Sequence, residues 1–230
     1  MTGGVEIEGL DFGHPGQPLL FSGLDLRLPA GAALAVLGPN GRGKSSLLRL
    51  LAGLERPLRG RIRIAGLDLS QQAPARDVAR LVGMVAQSSD RHFLRARVME
   101  EVALCARNLG LARPEALAQD ALDRLGIAEL AGNHPLDLDA GQRRLVALAA
   151  AVAHGPRLLL LDEAQRGLDR LNRACLERLI GAEAARGTAV LAVTHDTDFA
   201  RQIAGSPPGA DPSNTTKVCG SAIRILGSGI

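Results

Sequence analysis

An α/β domain with a mainly parallel core sheet, an N-terminal antiparallel β subdomain and an inserted helical subdomain is the fold this sequence predicts. Three observations predict it: short, continuously apolar runs spread along the chain, alternating apolar and polar stretches near the N-terminus, and a helical periodicity confined to the middle third.

The alternating stretches come first. Val5-Glu6-Ile7-Glu8-Gly9-Leu10 and Leu24-Asp25-Leu26-Arg27-Leu28 have the period of two expected of half-exposed antiparallel strands, and Arg61-Ile62-Arg63-Ile64 repeats it. Ala33–Leu37, Leu81–Val85, Leu158–Leu161 and Ala189–Val193 are apolar throughout, as strands buried on both faces must be. Between residues 98 and 155 the spacing turns helical, with segments expected over Val98–Leu109, Pro114–Leu125 and Gly141–His154. Pro114 suits a first helical turn and Gly126 a helix end.

Composition narrows the function. Of the 230 residues 46% are apolar, enough for a sizeable core, yet no run approaches the roughly 18 to 20 residues that cross a bilayer. Met1 to Glu6 carries no basic-then-apolar leader, so a cytosolic chain is expected, with any membrane role exerted through a partner. A net charge of +3 and 2% aromatics, all of them Phe, give little with which to grip nucleic acid, and none is expected as a partner. Cys105, Cys175 and Cys219 are too dispersed for a metal site and read as reduced thiols.

Chemistry begins after the Ala33–Leu37 strand. Gly38-Pro39-Asn40-Gly41-Arg42-Gly43-Lys44-Ser45 fits the phosphate-loop pattern, and Ser46 continues into a helical run. Glycines allow backbone N–H groups to converge on phosphate oxygens at a helix N-terminus; Lys44 adds a point charge and Ser45 a hydroxyl ligand for Mg²⁺. Chance alone gives such a match in roughly one chain in a hundred. Only two of the 27 basic residues are lysines, Lys44 and Lys217, so a lysine here runs against the chain's own habit.

Asp162 and Glu163 close the Leu158–Leu161 strand, where a parallel sheet faces its ligand crevice. Asp162 is suited to hold Mg²⁺ and Glu163 to act as general base for the attacking water. Gln87, read as ending the strand from Leu81, and His195, following the strand from Ala189, stand where polar groups could reach a γ-phosphate.

Taken in order, these motifs resemble those of the ATP-binding-cassette (ABC) ATPases over residues 1 to about 204. Walker A falls at 38–45, the Q-loop at Gln87, the signature at 138–142, Walker B at 158–163, the D-loop at Gly167-Leu168-Asp169 and the switch histidine at His195. The resemblance implies a P-loop NTPase fold of the ABC type, with the helical subdomain inserted at about 95–155. It implies Mg²⁺ and ATP bound between this chain's Walker A and the signature of a second ABC ATPase subunit, in a homo- or heterodimer. Asp139, Ala140, Gly141, Gln142 and Asp169 join the ATP-binding set on that ground, with Gln87 as a Mg²⁺ ligand and catalytic residue beside Glu163 and His195. The segment Gln87-Ser88-Ser89-Asp90-Arg91-His92-Phe93-Leu94, with Val98–Leu104 and Asn108–Leu111, looks like that of energy-coupling-factor importers of metal ions or vitamins. An integral membrane subunit is the implied partner, with this chain peripheral on the inner face of the membrane.

Four departures from the family pattern bear on function. The usual Leu-Ser-Gly-Gly-Gln is Leu138-Asp139-Ala140-Gly141-Gln142 here; Asp139 keeps a good helix N-cap but brings a negative charge where the family serine approaches a partner's γ-phosphate. The adenine-stacking position falls on His14 instead of tyrosine. Pro-Thr after the base is replaced by Ala164-Gln165, which leaves the acids in place. From Gly205 the composition shifts to Gly, Ser and Pro, and residues 205–230 read as an atypical tail in which Ala222–Leu226 could still supply a short strand. The leading expectation is an ATPase powering an importer; the alternative is a catalytically weak nucleotide-binding regulatory subunit of a heterodimeric complex. A DNA-repair or translation cassette is a disfavoured third expectation, because these usually need a long coiled-coil insertion or a second cassette, which does not fit in 230 residues.

Overall fold

The computed structural model describes residues 3–71, 73–88, 92–204, 215–217 and 224–227. Ser89, Asp90, Arg91 and Cys219 lie outside that set, as do most of the residues from Gly205 to Gly220. An antiparallel sheet is built from β1 (Val5–Phe12), β2 (Phe21–Leu28), β4 (Arg59–Ile64) and β5 (Leu67–Asp68), in the order β2-β1-β4-β5. A second sheet takes the order β6-β7-β8-β3-β10-β9, from β3 (Ala33–Leu37), β6 (Val82–Val85), β7 (Leu158–Asp162), β8 (Ala189–Thr194), β9 (Thr215–Lys217) and β10 (Arg224–Gly227). Strands β6, β7, β8 and β3 are mutually parallel.

The central strands show why unbroken apolar runs were needed. Leu159 and Leu161 of β7 enter a core shared with the helices, whereas Leu158 and Leu160 enter the core beneath the antiparallel sheet. Val190 and Ala192 of β8 face the first core, and Ala189, Leu191 and Val193 the second. A polar residue at any of these positions would lose its hydration without gaining a partner.

Among the described residues the α-helices are α1 (Lys44–Leu51), α2 (Ala75–Leu81), α3 (Val98–Asn108), α4 (Pro114–Leu125), α5 (Ala140–Val152), α6 (Arg170–Ala185) and α7 (Thr197–Ala204). The three expected helices are present as α3, α4 and α5, ending at Asn108, Leu125 and Val152. Leu81 is the last residue of α2 instead of the first of a strand, and β6 ends at Val85, two residues before Gln87.

Within the segment from Gly205 onward, expected as a tail, β9 and β10 are described; the strand allowed at Ala222–Leu226 is seen from Arg224, with Ala222 and Ile223 outside the described residues. Residues Arg224 to Gly227 pair antiparallel with Leu37 to Leu34 of β3, and β9 pairs with β10. The pairing closes the edge of β3 that β8 leaves open, satisfying backbone groups that would otherwise be exposed for association.

Candidate functional site

Register brings the site together. Leu37 of β3 lies opposite Thr194 of β8, Val193 opposite Asp162 of β7, and Leu161 opposite Val85 of β6. The four parallel strands therefore stop along one line. The residues that follow them, Gly38, His195, Glu163 and Gln87, leave the sheet at the same edge, as the crevice rule for open α/β sheets requires. A cleft of about 760 Å³ opens there, lined by His14, Asn40, Gly41, Gly43, Lys44, Ser45, Ser46, Gln87, Asp162, Glu163 and His195 among others.

The loop from Gly38 to Ser45 turns directly into α1. Gly43 caps that helix with φ 88° and leaves no room for a side chain, since a Cβ would stand 2.9 Å from Phe21 Cζ. Lys44 is buried, and its ammonium donates to the carbonyl oxygens of Gly38 at 2.6 Å and Pro39 at 2.9 Å. Burial lowers its pKa, opposed by the nearby carboxylates of Glu163 and Asp162. Ser45 Oγ donates to Asp162 Oδ2 at 3.2 Å, and burial raises the Asp162 pKa against that bond and the Lys44 charge. Pro39 and Arg42 lie on the exposed outer side of the loop.

Ser45 and Asp162 offer neighbouring oxygens, and Gln87 lines the same cleft. Among the described residues no cluster of three His, Cys, Asp or Glu side chains could cage a metal. That fits Mg²⁺, which takes one or two protein oxygens and completes its shell with phosphate and water.

Glu163 is buried and held with φ 51°, a left-handed backbone unusual for a residue with a side chain, while its N–H donates to Val193 O at 3.0 Å. Its Oε1 stands 3.4 Å from His195 Nε2, which lies closer to Asn40 Oδ1, at 2.9 Å. His14 also lines the cleft, edge-on to Phe12, with Nε2 3.4 Å from Ser46 Oγ. Phe12 itself is in the core.

The signature residues and Asp169 are not in this cleft. Asp139 caps α5: its Oδ1 accepts from Gln142 N at 2.8 Å while Gln142 Oε1 accepts from Asp139 N at 3.1 Å, a complete capping box. Asp169 caps α6 through Asn172 N at 2.8 Å. The two helix starts touch, because a Cβ on Gly141 would stand 2.6 Å from Asn172 Nδ2. Ala140 begins α5 beside them.

Three side chains went unnoticed as site residues in the sequence. Arg166 lines the cleft. Arg144, buried, donates to the carbonyls of Ala86 and Gln87 at 3.3 and 3.1 Å. Gln165, noted only as a replacement, is buried against Glu163. An arginine pair at 143–144, a single arginine at 166 and an amide at 165 give no signal of contact until the strand ends are placed.

Comparisons with known proteins give the fold and the family. A putative ABC transporter ATP-binding protein of Methanopyrus kandleri is 40% identical over 194 residues, covering 83% of this chain and 72% of that one. The cobalt import ATP-binding protein CbiO of Rhodobacter capsulatus is 39% identical over 207 residues, covering 89% and 74%. The solved cbiO1 of Clostridium perfringens, described as part of the transporter complex cbiONQ, superposes with a TM-score of 0.77 at 27% identity, over 86% of this chain and 81% of its own. A bacterial ABC cassette solved as a dimer shares the fold with a TM-score of 0.74 at 22% identity, over 86% of this chain and 90% of its own. The family described as "ABC transporter" matches residues 21–166, and with relatives this similar over this much of its length the chain belongs to the ABC transporter ATP-binding family.

Proposed function

We propose that this chain binds and hydrolyses ATP to drive a membrane importer of the energy-coupling-factor type, taking up a metal ion or vitamin. The observation that carries the reading is the meeting of Lys44, Ser45, Asp162, Glu163 and His195 in one cleft at the ends of four parallel strands. The cobalt and energy-coupling-factor names of relatives 38–39% identical support the importer class.

In this reading the N–H groups from Asn40 to Ser46 receive the phosphates and His14 lies under the adenine. Lys44 leaves the carbonyls of Gly38 and Pro39 for the β- and γ-phosphates, which its charge favours. Ser45, Asp162 and Gln87 would hold Mg²⁺, whose charge, when bound, offsets that of the phosphates. Glu163 takes a proton from water as the water oxygen bonds the γ-phosphorus. The bond from that phosphorus to the bridging oxygen breaks, and its electron pair leaves with ADP. His195 orients the γ-phosphate from the end of β8.

Asp139, Ala140, Gly141, Gln142 and Asp169 serve a second cassette's nucleotide, which explains their place outside this cleft. Residues 1–204 form the ATPase domain, with its helical subdomain at about 95–155. The atypical tail at 205–230 adds its two strands to the sheet edge. The chain works at the inner face of the cell membrane against an integral membrane subunit; among the described residues no helix is long and apolar enough to cross a membrane.

The test is Mg²⁺-ATP hydrolysis by the purified chain against protein concentration, with Lys44→Ala and Glu163→Gln as blanks. Turnover that rises faster than linearly and vanishes in both variants is expected. One observation favours a second reading, a weakly hydrolysing regulatory subunit: Asp139 stands in the signature. A carboxylate about 4 Å from a phosphate charge at an effective dielectric near 20 is disfavoured by ~4 kcal/mol. Tight ATP binding with no turnover, restored by a related cassette, would select that reading.

A further inference from the structure

Gln165 stands two residues beyond Glu163 and is 8% exposed. Its Nε2 donates to Glu163 Oε2 at 2.9 Å and to Thr194 Oγ1 at 2.5 Å. Thr194 Oγ1 also accepts the backbone N–H of Asp196 at 3.0 Å. One buried amide thus joins the residue after β7 to the last residue of β8, the strand that delivers His195. Its orientation follows from chemistry: an ionised carboxylate can only accept, so the nitrogen faces it.

The two oxygens of Glu163 consequently differ. Oε2 is tied to Gln165. Oε1 is buried beside His195 Nε2, at 3.4 Å, and among the described residues it receives no hydrogen bond. The backbone alone does not fix this division. It sets the left-handed turn at residue 163, but a glutamate side chain retains rotations about three bonds. A donor anchored to Thr194 removes that freedom at one oxygen only.

We propose that Gln165 is a positioning residue for hydrolysis, locking the Glu163 carboxylate through Oε2 so that Oε1 is presented to the attacking water. The inference rests on Glu163 being the base. It assigns a task to a side chain that replaces the threonine usual in this family, and a threonine has no amide to offer.

The test uses the full chain, assembled with its partner subunits where turnover requires them. Gln165→Met keeps the length and removes the donor. We expect kcat to fall about 10- to 100-fold, the range for losing a hydrogen bond to a charged group, with KM for Mg²⁺-ATP and the affinity for nucleotide within twofold of the parent. Placed on Glu163→Gln, where no carboxylate remains to be oriented, the same change should alter residual single-turnover rates by less than twofold. Gln165→Asn keeps the amide but withdraws it by one methylene, giving an intermediate kcat, and stands in if the Met variant does not fold.

Parent-like kcat in either folded variant overturns the inference. So does an equal loss with and without the Glu163 carboxylate, or a rise in KM that matches the loss of rate. Parent-level turnover in Glu163→Gln itself overturns the base assignment and this inference together; a dead Glu163→Gln beside a fully active Gln165→Met overturns this inference alone.

Discussion

The guanidinium of Arg144 lies 3.1 Å from the carbonyl oxygen of Gln87, so α5 holds the loop after β6. The bond to Ala86 O at 3.3 Å makes the hold two-pronged.

Arg144→Leu should therefore destabilise the protein by about 2 kcal/mol, leaving two carbonyl groups short of a charged donor. Turnover should fall about tenfold through misplacement of Gln87, while nucleotide affinity changes little. Thermal melting and steady-state kinetics on one preparation check both.

Lys44→Ala and Glu163→Gln should fail differently. Removing the ammonium should weaken ATP binding by roughly 10- to 100-fold, since a charge-assisted contact is lost. Removing the carboxylate should leave binding intact and lower kcat by at least about 100-fold. Equilibrium binding of a fluorescent nucleotide separates the two.

Asp139→Ser should raise turnover in the assembled dimer without changing stability by more than about 0.5 kcal/mol, because serine caps a helix about as well as aspartate. The capping box at Gln142 makes this a clean exchange of charge. Unchanged turnover would mean that Asp139 does not face the partner's phosphates.

Asp196 links the end of β8 to α6 and α7. Its Oδ1 accepts from the N–H groups of Phe199 and Asp198, and its Oδ2 from Arg173 Nη1 at 2.7 Å. The Phe199 N–H first, and Arg173 with it, hold the carboxyl below the ordinary aspartate value of 3.8. A lowered carboxyl pKa stabilises the fold fully above the unfolded value and ceases to do so as pH falls through the folded one. Asp196→Asn should flatten the acid limb of a stability profile below pH about 4, by no more than about 1 kcal/mol for so exposed a pair. Denaturant midpoints measured from pH 3 to 7 check it.

How far the sequence could be read depended on whether a residue's neighbours were local. The β7 leucines announced two buried faces because both cores demand the same chemistry of consecutive side chains. Motif residues could be placed because strand ends in a parallel sheet share an edge. Helix α6 was not legible: Glu183 is buried within it, paired with Arg124 and Thr188, and that carboxylate interrupts the apolar stripe. Gln165 could be named but not understood. Its role depends on the left-handed turn at Glu163 and on Thr194, 29 residues away.

The positive φ at Glu163 has a consequence for durability. A side-chain-bearing residue in that region destabilises its own fold by roughly 1 kcal/mol or more, relieved when glycine or asparagine takes its place. Glu163→Asn should therefore give a dead enzyme that recovers this strain but gives up the bond from Gln165 to the carboxylate, so it should melt close to the parent. Stability alone therefore gives no reason for a glutamate at this turn; under the proposed function, turnover supplies that reason.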